Sequence, residues 1–138
     1  MNKKLLLLLV ISHIGCALAA EKLDRVGNKE LPPDAVLICD DHVVGESSGK
    51  PMHIDWQAFG LDEGTDKTVQ FYQSQFGVAP ATDNDAQGYT WIFKSEYSEL
   101  QYSVKTPSAA GPWSGCSKPP AHFKAIVLIS NAIRVKGR

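Results

Sequence analysis

The stretch YTWIFKSEYSELQYSV, residues 89–104, decides the fold class of this chain. Its first five residues, YTWIF, place aromatic side chains at every second position, which predicts one face of a β-strand. Its last five residues, LQYSV, alternate in the same way and predict a second strand. The intervening KSEYSE is long enough for a hairpin loop. The stretch therefore predicts an antiparallel strand pair.

Three further segments predict the rest of the sheet. AVLIC, residues 35–39, is a short apolar run typical of a buried strand. MHIDWQAF, residues 52–59, alternates and predicts a half-buried strand, while the preceding GESSGKP, residues 45–51, has the composition of a loop. AIVLIS, residues 125–130, is apolar on both faces, so we expect it in the middle of the sheet.

One segment, TDKTVQFYQSQFG, residues 65–77, predicts a helix. Thr65 is suited to capping its first turn, and Gly77 is suited to the left-handed position that ends it. The apolar stripe expected to face the sheet consists of Val69, Tyr72 and Phe76.

Together these elements predict one small α+β domain over residues 34–138. We expect a mostly antiparallel sheet of about five strands with one main helix packed on one face. Residues 20–33 are charged and end in Pro32-Pro33, which predicts a flexible N-terminal arm.

Residues 1–19 have the pattern of a secretory signal peptide. Lys3 and Lys4 precede an apolar run at residues 5–11, and Ala17-Leu18-Ala19 offers a small-x-small cleavage site. The expected location is the periplasm or the exterior of the cell, with Ala20 as the first mature residue.

Cys16 leaves an alternative open. With Gly15 before it, the segment partly resembles the lipobox of bacterial lipoproteins, although His13 stands where that motif favours Leu. Lipidation at Cys16 would make the protein a membrane-anchored lipoprotein. The complete cleavage site at residues 17–19 favours the unlipidated form.

Cys39 and Cys116 are the cysteines left after export. In an oxidising compartment such a pair usually forms a disulfide bond. Removal of Lys3 and Lys4 leaves 12 of the 14 basic residues against 15 acidic residues, a net charge of −3. This balance argues against a nucleic-acid partner, and no segment after the first apolar run is long enough to span a membrane.

One pattern raises the hypothesis of a small hydrolase. GESSG, residues 45–49, matches the G-x-S-x-G nucleophile motif with Ser47 as the nucleophile, but a predicted strand follows where the motif needs a helix. Asp55 and His122 could complete a catalytic triad with Ser47. The hydrolase hypothesis also has a second form, in which a His/Asp site is catalytic instead of Ser47.

Metal binding is a further alternative, in the form of an envelope lipoprotein that binds a metal or small ligand. DNDAQG, residues 83–88, resembles the start of a calcium loop, but Lys94 stands where the closing Glu belongs. CDDH, residues 39–42, together with His53 and His122, contains ligand types suited to zinc. Neither pattern has a complete ligand spacing, so the sequence predicts no metal and no cofactor.

Two aromatic residues are candidates for a binding surface. Trp113 lies in the Pro- and Gly-rich segment before Cys116, and Tyr97 lies in the predicted hairpin loop. Exposed aromatic side chains often anchor protein interfaces. The interpretation favoured by the sequence is a non-enzymatic binding module, of an inhibitor, immunity or accessory type, whose partner is another envelope or extracellular protein or ligand.

Overall fold

The computed structural model of the protein describes residues 22–82, 88–110, 116 and 120–136. Six strands form one antiparallel sheet in the order β1-β2-β6-β5-β4-β3. Their bounds are β1 Val36–Ser47, β2 Lys50–Leu61, β3 Ala81–Thr82, β4 Gly88–Lys94, β5 Ser98–Lys105 and β6 Ala125–Arg134. Helix α1 spans Thr65–Phe76, helix α2 spans Pro107–Ala110, and a 3-10 turn spans Pro120–His122. The predicted α+β class with a mostly antiparallel sheet is confirmed.

Strand β6 lies at the centre of the sheet, as its apolar sequence predicts. It pairs with β2 on one side and β5 on the other. Ile126, Val127 and Ile129 are fully buried. The strand also continues beyond the predicted segment to Arg134, so the first four residues of the C-terminal segment NAIRVKGR, 131–138, belong to the sheet.

The β1–β2 hairpin is longer than the sequence predicts, and the expected loop at residues 45–51 is wrong. Pairing continues to Ser47 opposite Lys50, so Ser48 and Gly49 alone form the turn. Their φ angles are 53° and 74°, both in the left-handed region. This combination is typical of the two-residue type I′ turn, whose twist matches that of the flanking strands.

The two faces of the sheet bury separate cores. The helix face carries Phe59 and Leu61 of β2, which pack with Tyr72 of α1 and Tyr102 of β5. The opposite face carries a smaller buried group of Ile38, Ala58 and Ile126. A bulge between Leu37 and Cys39 shifts the register of β1 at this point.

Helix α1 touches the helix face through aromatic side chains. Tyr72 is fully buried, and its ring centroid lies 5.5 Å from those of Phe76 and Tyr102. The predicted stripe is thus correct in direction, although Phe76 and Val69 are only partly buried. Gly77 ends the helix in the left-handed conformation, as expected. The N-cap is Gly64 rather than Thr65, and it makes no side-chain capping hydrogen bond.

The N-terminal segment of the described chain is packed against the domain. Asp24 is 2% exposed and Leu31 is also buried, and a backbone bridge joins Leu23 to Glu30. The expectation of a flexible arm is therefore corrected for residues 22–33. The charged segment contains one buried carboxylate, whose hydrogen bonds hold it in place. The predicted signal peptide, residues 1–19, lies outside the described residues.

The predicted disulfide bond between Cys39 and Cys116 is present, with the two Cα atoms 4.8 Å apart. It ties β1 to a residue beyond α2. No helix within the described ranges is long and apolar enough to cross a membrane.

Candidate functional site

The β1–β2 hairpin carries a group of charged and imidazole side chains on the helix face. The register places His42 opposite Asp55, and Asp40 opposite Gln57. Because residues two apart along a strand share a face, these side chains and His53 point to the same side of the sheet. We call the following five residues the polar cluster: Arg25, Asp40, His42, His53 and Asp55.

The centre of the polar cluster is an imidazole–carboxylate pair. Nδ1 of His42 lies 2.8 Å from Oδ1 of Asp55. The hydrogen bond from His42 is the main reason why the pKa of Asp55 lies below its usual value of 3.8, and the positive charge of Arg25 acts in the same direction. The pair is accessible, because the side chain of His42 is 50% exposed.

Arg25 joins the N-terminal segment to the hairpin. Its guanidinium forms an ion pair with Asp40, and its Nη1 lies 3.6 Å from Oδ1 of Asp55. Its backbone N–H donates to Oε1 of Gln57 at 2.9 Å, and Nε2 of Gln57 donates to Asp40 at 3.2 Å. Arg25 is thus held by partners on both hairpin strands.

The second histidine of the polar cluster approaches the first. Nδ1 of His53 lies 3.3 Å from Nε2 of His42, and the ring centroids are 5.4 Å apart. His53 pairs across the strands with Val44, which makes it the diagonal neighbour of His42. The two rings therefore meet through their nitrogen edges.

The structure does not assemble the triad that the sequence suggests around Ser47. Ser47 pairs with Lys50 at the turn, and strand alternation points it away from the face of His42. Ser47 and His42 are five positions apart on one extended strand, which is a distance of about 16 Å. His122 lies two residues before Lys124, whose N–H donates to the carbonyl of Leu61. Leu61 lies about 20 Å along β2 from Asp55, so His122 is near the other end of that strand. The alternative of a hydrolase that uses Ser47 therefore has no geometric support.

The remaining predicted site residues have mixed outcomes. Tyr97 lies in the β4–β5 loop and is 37% exposed, with Nζ of Lys136 5.5 Å from its ring centroid. Its carbonyl accepts a hydrogen bond from the N–H of Arg134 at 2.8 Å, so it lies at the same end of the sheet as the hairpin turn. Trp113, Cys16 and the start of the suggested calcium loop, residues 83–87, lie outside the described residues.

The proposed metal set is only partly brought together. Cys39 forms the disulfide bond, and His122 lies on a separate element. In the described part of the chain, no group of three or more His, Cys, Asp and Glu side chains is arranged to hold a metal ion. His42 and His53 do meet, and that contact is the part of the set that the geometry supports.

A shallow depression of about 270 Å³ lies at the hairpin end of the opposite face. Lys94 and Glu99, which form an ion pair of 3.2 Å, lie beside Met52 and Arg134 in its wall. Charges of both signs and the mainly polar lining are typical of a solvated surface, and this depression brings no general base to a nucleophile.

The sequence did not point to Arg25, and it indicated His42 only as a possible metal ligand. The signal for His42 was its position between the predicted strand at 35–39 and the dipeptide Ser48-Gly49, which marks a turn. Extending both strands to that turn would have paired His42 with Asp55. Arg25 had no such signal, because its contact depends on how the N-terminal segment folds over the sheet.

Comparison with known proteins gives no relative for this chain: no protein family, curated protein or solved structure matches it.

Proposed function

We propose that this protein is a non-enzymatic binding module that uses the β1–β2 hairpin to bind another protein outside the cytoplasm. One observation supports this proposal above all others. Ten consecutive residues, 41–50, are exposed, although nearly all of them belong to β-strands. Since side chains alternate between faces, both sides of this part of β1 are open to solvent.

A sheet normally buries at least one face, because the apolar side chains of a strand need a second layer. Here Val43 and Val44 point to opposite faces, and Val44 is 65% exposed. Ile133 and Tyr97 are exposed at the same end of the sheet. A partner that covered this end would remove apolar surface from water, the main favourable contribution to most protein association.

The edge of β1 suggests how the partner binds. β1 is the last strand in the sheet order, and within the described ranges no strand pairs with its outer edge. Such an edge accepts an extended segment through main-chain hydrogen bonds. β1 carries Asp41 and Glu46 as exposed acidic residues, so charge complementarity favours a segment that contains Lys or Arg.

The acidic residues of β1 also disfavour a second copy of this chain as the occupant. Opposite residues of an antiparallel pair share a face, so two β1 edges paired about Val43 would place Asp40 of each copy opposite Glu46 of the other. Like charges directly opposite each other destabilise a strand pair. We therefore propose a basic extended segment of a different protein.

Export forms part of the proposal. The n-region, apolar run and cleavage site at residues 1–19 favour secretion with Ala20 as the mature N-terminus and an unlipidated Cys16. Intact-mass spectrometry of the protein from its native host tests this. A mass that begins at Ala20 supports the proposal, and a mass that begins at Cys16 with added acyl chains shows a membrane-anchored lipoprotein.

Site-specific photo-crosslinking in the native host tests the binding surface. A benzophenone amino acid replaces Val44 in one variant and Gln73, an exposed residue of α1, in the control variant. We expect a crosslinked partner from position 44 and none from position 73. The double variant Asp41→Lys/Glu46→Lys should weaken the crosslink from position 44, and so should high salt, because salt screens exposed charges.

Three outcomes would contradict this proposal. They are the absence of a crosslink at position 44, an equal crosslink at position 73, and a crosslink only between two copies of the chain. Urea unfolding of each purified variant verifies that it is folded, so that a lost crosslink reports on the surface.

A further inference from the structure

We propose that His42 and His53 form a zinc-binding site on the helix face of the β1–β2 hairpin. The two imidazoles supply two ligands, and solvent supplies the others. This inference goes beyond the proposed protein binding and does not depend on it. It rests on the distance between two ring nitrogens, the orientation of both rings and the hydrogen bond that fixes one of them.

The separation of the two nitrogens fits tetrahedral coordination. Nδ1 of His53 and Nε2 of His42 are 3.3 Å apart. Two imidazole nitrogens bound to one Zn²⁺ at the tetrahedral angle lie about 3.3 Å apart, given the usual Zn–N bond length. Neighbouring ligands in a square-planar site would lie about 2.9 Å apart. The separation is therefore the one expected for tetrahedral Zn²⁺.

The two rings approach each other through one nitrogen each. Their planes are inclined by 42° and their centroids are 5.4 Å apart, so the rings neither stack nor turn their carbon edges towards each other. The diagonal arrangement across the hairpin produces this approach, because His42 and His53 extend from neighbouring strands on one face.

Asp55 determines which nitrogen of His42 is available. Its Oδ1 lies 2.8 Å from Nδ1 of His42, and a carboxylate accepts a hydrogen bond there only if Nδ1 carries the proton. The lone pair of His42 is then on Nε2, the atom that faces His53. Zinc-bound histidines usually donate their second ring N–H to a carboxylate, a backbone carbonyl or water, which orients the ring and makes it a better ligand.

The surroundings can accept a hydrated cation. The side chain of His42 is half exposed, and that of Asp55 is partly exposed, so the site is open to solvent. Arg25 is the cation of the polar cluster, and its charge is offset by Asp40 and Asp55, with which it forms ion pairs. With two protein ligands, we expect weaker binding than in closed structural sites that have four.

Isothermal titration of the full-length protein with zinc chloride tests the inference. The protein must carry no polyhistidine tag, since a tag would supply competing imidazoles. We expect one zinc ion per chain. His42→Gln and His53→Gln should each weaken binding at least 10-fold, and Asp55→Asn about 10-fold, the usual effect of removing such a supporting carboxylate. His122→Gln is the matched control for an exposed histidine and should leave binding unchanged.

Nitrogen-15 chemical shifts of the imidazoles give a second readout that needs no mutation. Addition of zinc should shift Nε2 of His42 and Nδ1 of His53, and leave the ring of His122 unaffected. The inference is overturned if millimolar zinc produces neither heat nor shifts, because the 3.3 Å contact is then a hydrogen bond between two rings. It is also overturned if binding survives in the His42→Gln/His53→Gln double variant.

Discussion

The hydroxyl of Tyr102 donates a hydrogen bond of 2.7 Å to the carboxylate of Asp24, a residue 78 positions earlier in the chain. Both side chains are buried. The same carboxylate accepts from the backbone N–H groups of Gly27, Asn28 and Lys29. One buried acidic residue therefore closes the turn of the N-terminal segment and joins that segment to the middle of the sheet.

The first prediction concerns this hydrogen bond. Asp24→Ala should lower the free energy of unfolding by about 3 kcal/mol, because it leaves a buried hydroxyl and several N–H groups without an acceptor. Tyr102→Phe should cost only about 1–2 kcal/mol, since the ring remains packed. Urea unfolding of both single variants and the double variant measures the coupling. Additive losses would show that the two residues act independently.

Tyr72 provides a second prediction. Its ring is fully buried, but its hydroxyl has no hydrogen-bond partner among the described residues. Tyr72→Phe should therefore be neutral or stabilise the protein by up to about 1 kcal/mol. Tyr72→Ala should cost about 3–5 kcal/mol, whereas the exposed control Gln73→Ala should stay within about 0.5 kcal/mol. A large loss in Tyr72→Phe, read from the urea midpoint, would show that the hydroxyl has a partner.

The third prediction concerns the disulfide bond, which joins residues 77 positions apart. Closing a loop of that length in the unfolded chain stabilises the folded state by up to about 4.5 kcal/mol. The Cys39→Ser/Cys116→Ser variant should therefore unfold at a much lower urea concentration. Reductant should move the midpoint of the original protein towards that of the variant. If reductant left the midpoint unchanged, the bond would contribute little.

A fourth prediction follows from the lowered pKa of Asp55, whose main cause is the hydrogen bond from His42. The folded protein favours the charged carboxylate, so the resulting stability is complete above the usual pKa of 3.8 and is lost as the pH falls through the lower folded value. Asp55→Asn should lose less stability than the original protein between about pH 5 and pH 2. Glu46→Gln, on the exposed hairpin, is the control. Identical pH profiles for Asp55→Asn and the original protein would contradict the assignment.

The sequence predicted the elements whose side chains repeat with a regular period. The alternation in residues 89–104 gave β4 and β5 because a strand exposes every second side chain to one face. The spacing of Val69, Tyr72 and Phe76 gave α1 for the equivalent reason in a helix. The disulfide bond was predicted because two cysteines remain after export, and such a pair usually forms a disulfide bond in an oxidising compartment.

The tertiary structure decided what depends on contacts between distant segments. The hairpin extended through a segment with loop composition because cross-strand pairing compensated for weak local preference. Asp24 became buried because the Tyr102 hydroxyl and three backbone N–H groups satisfy its oxygens, which no periodic pattern reveals. His42 met Asp55 and His53 only through the register of β1 and β2. Local sequence period determines which face a side chain occupies, whereas strand register and chain packing determine which neighbours it meets there.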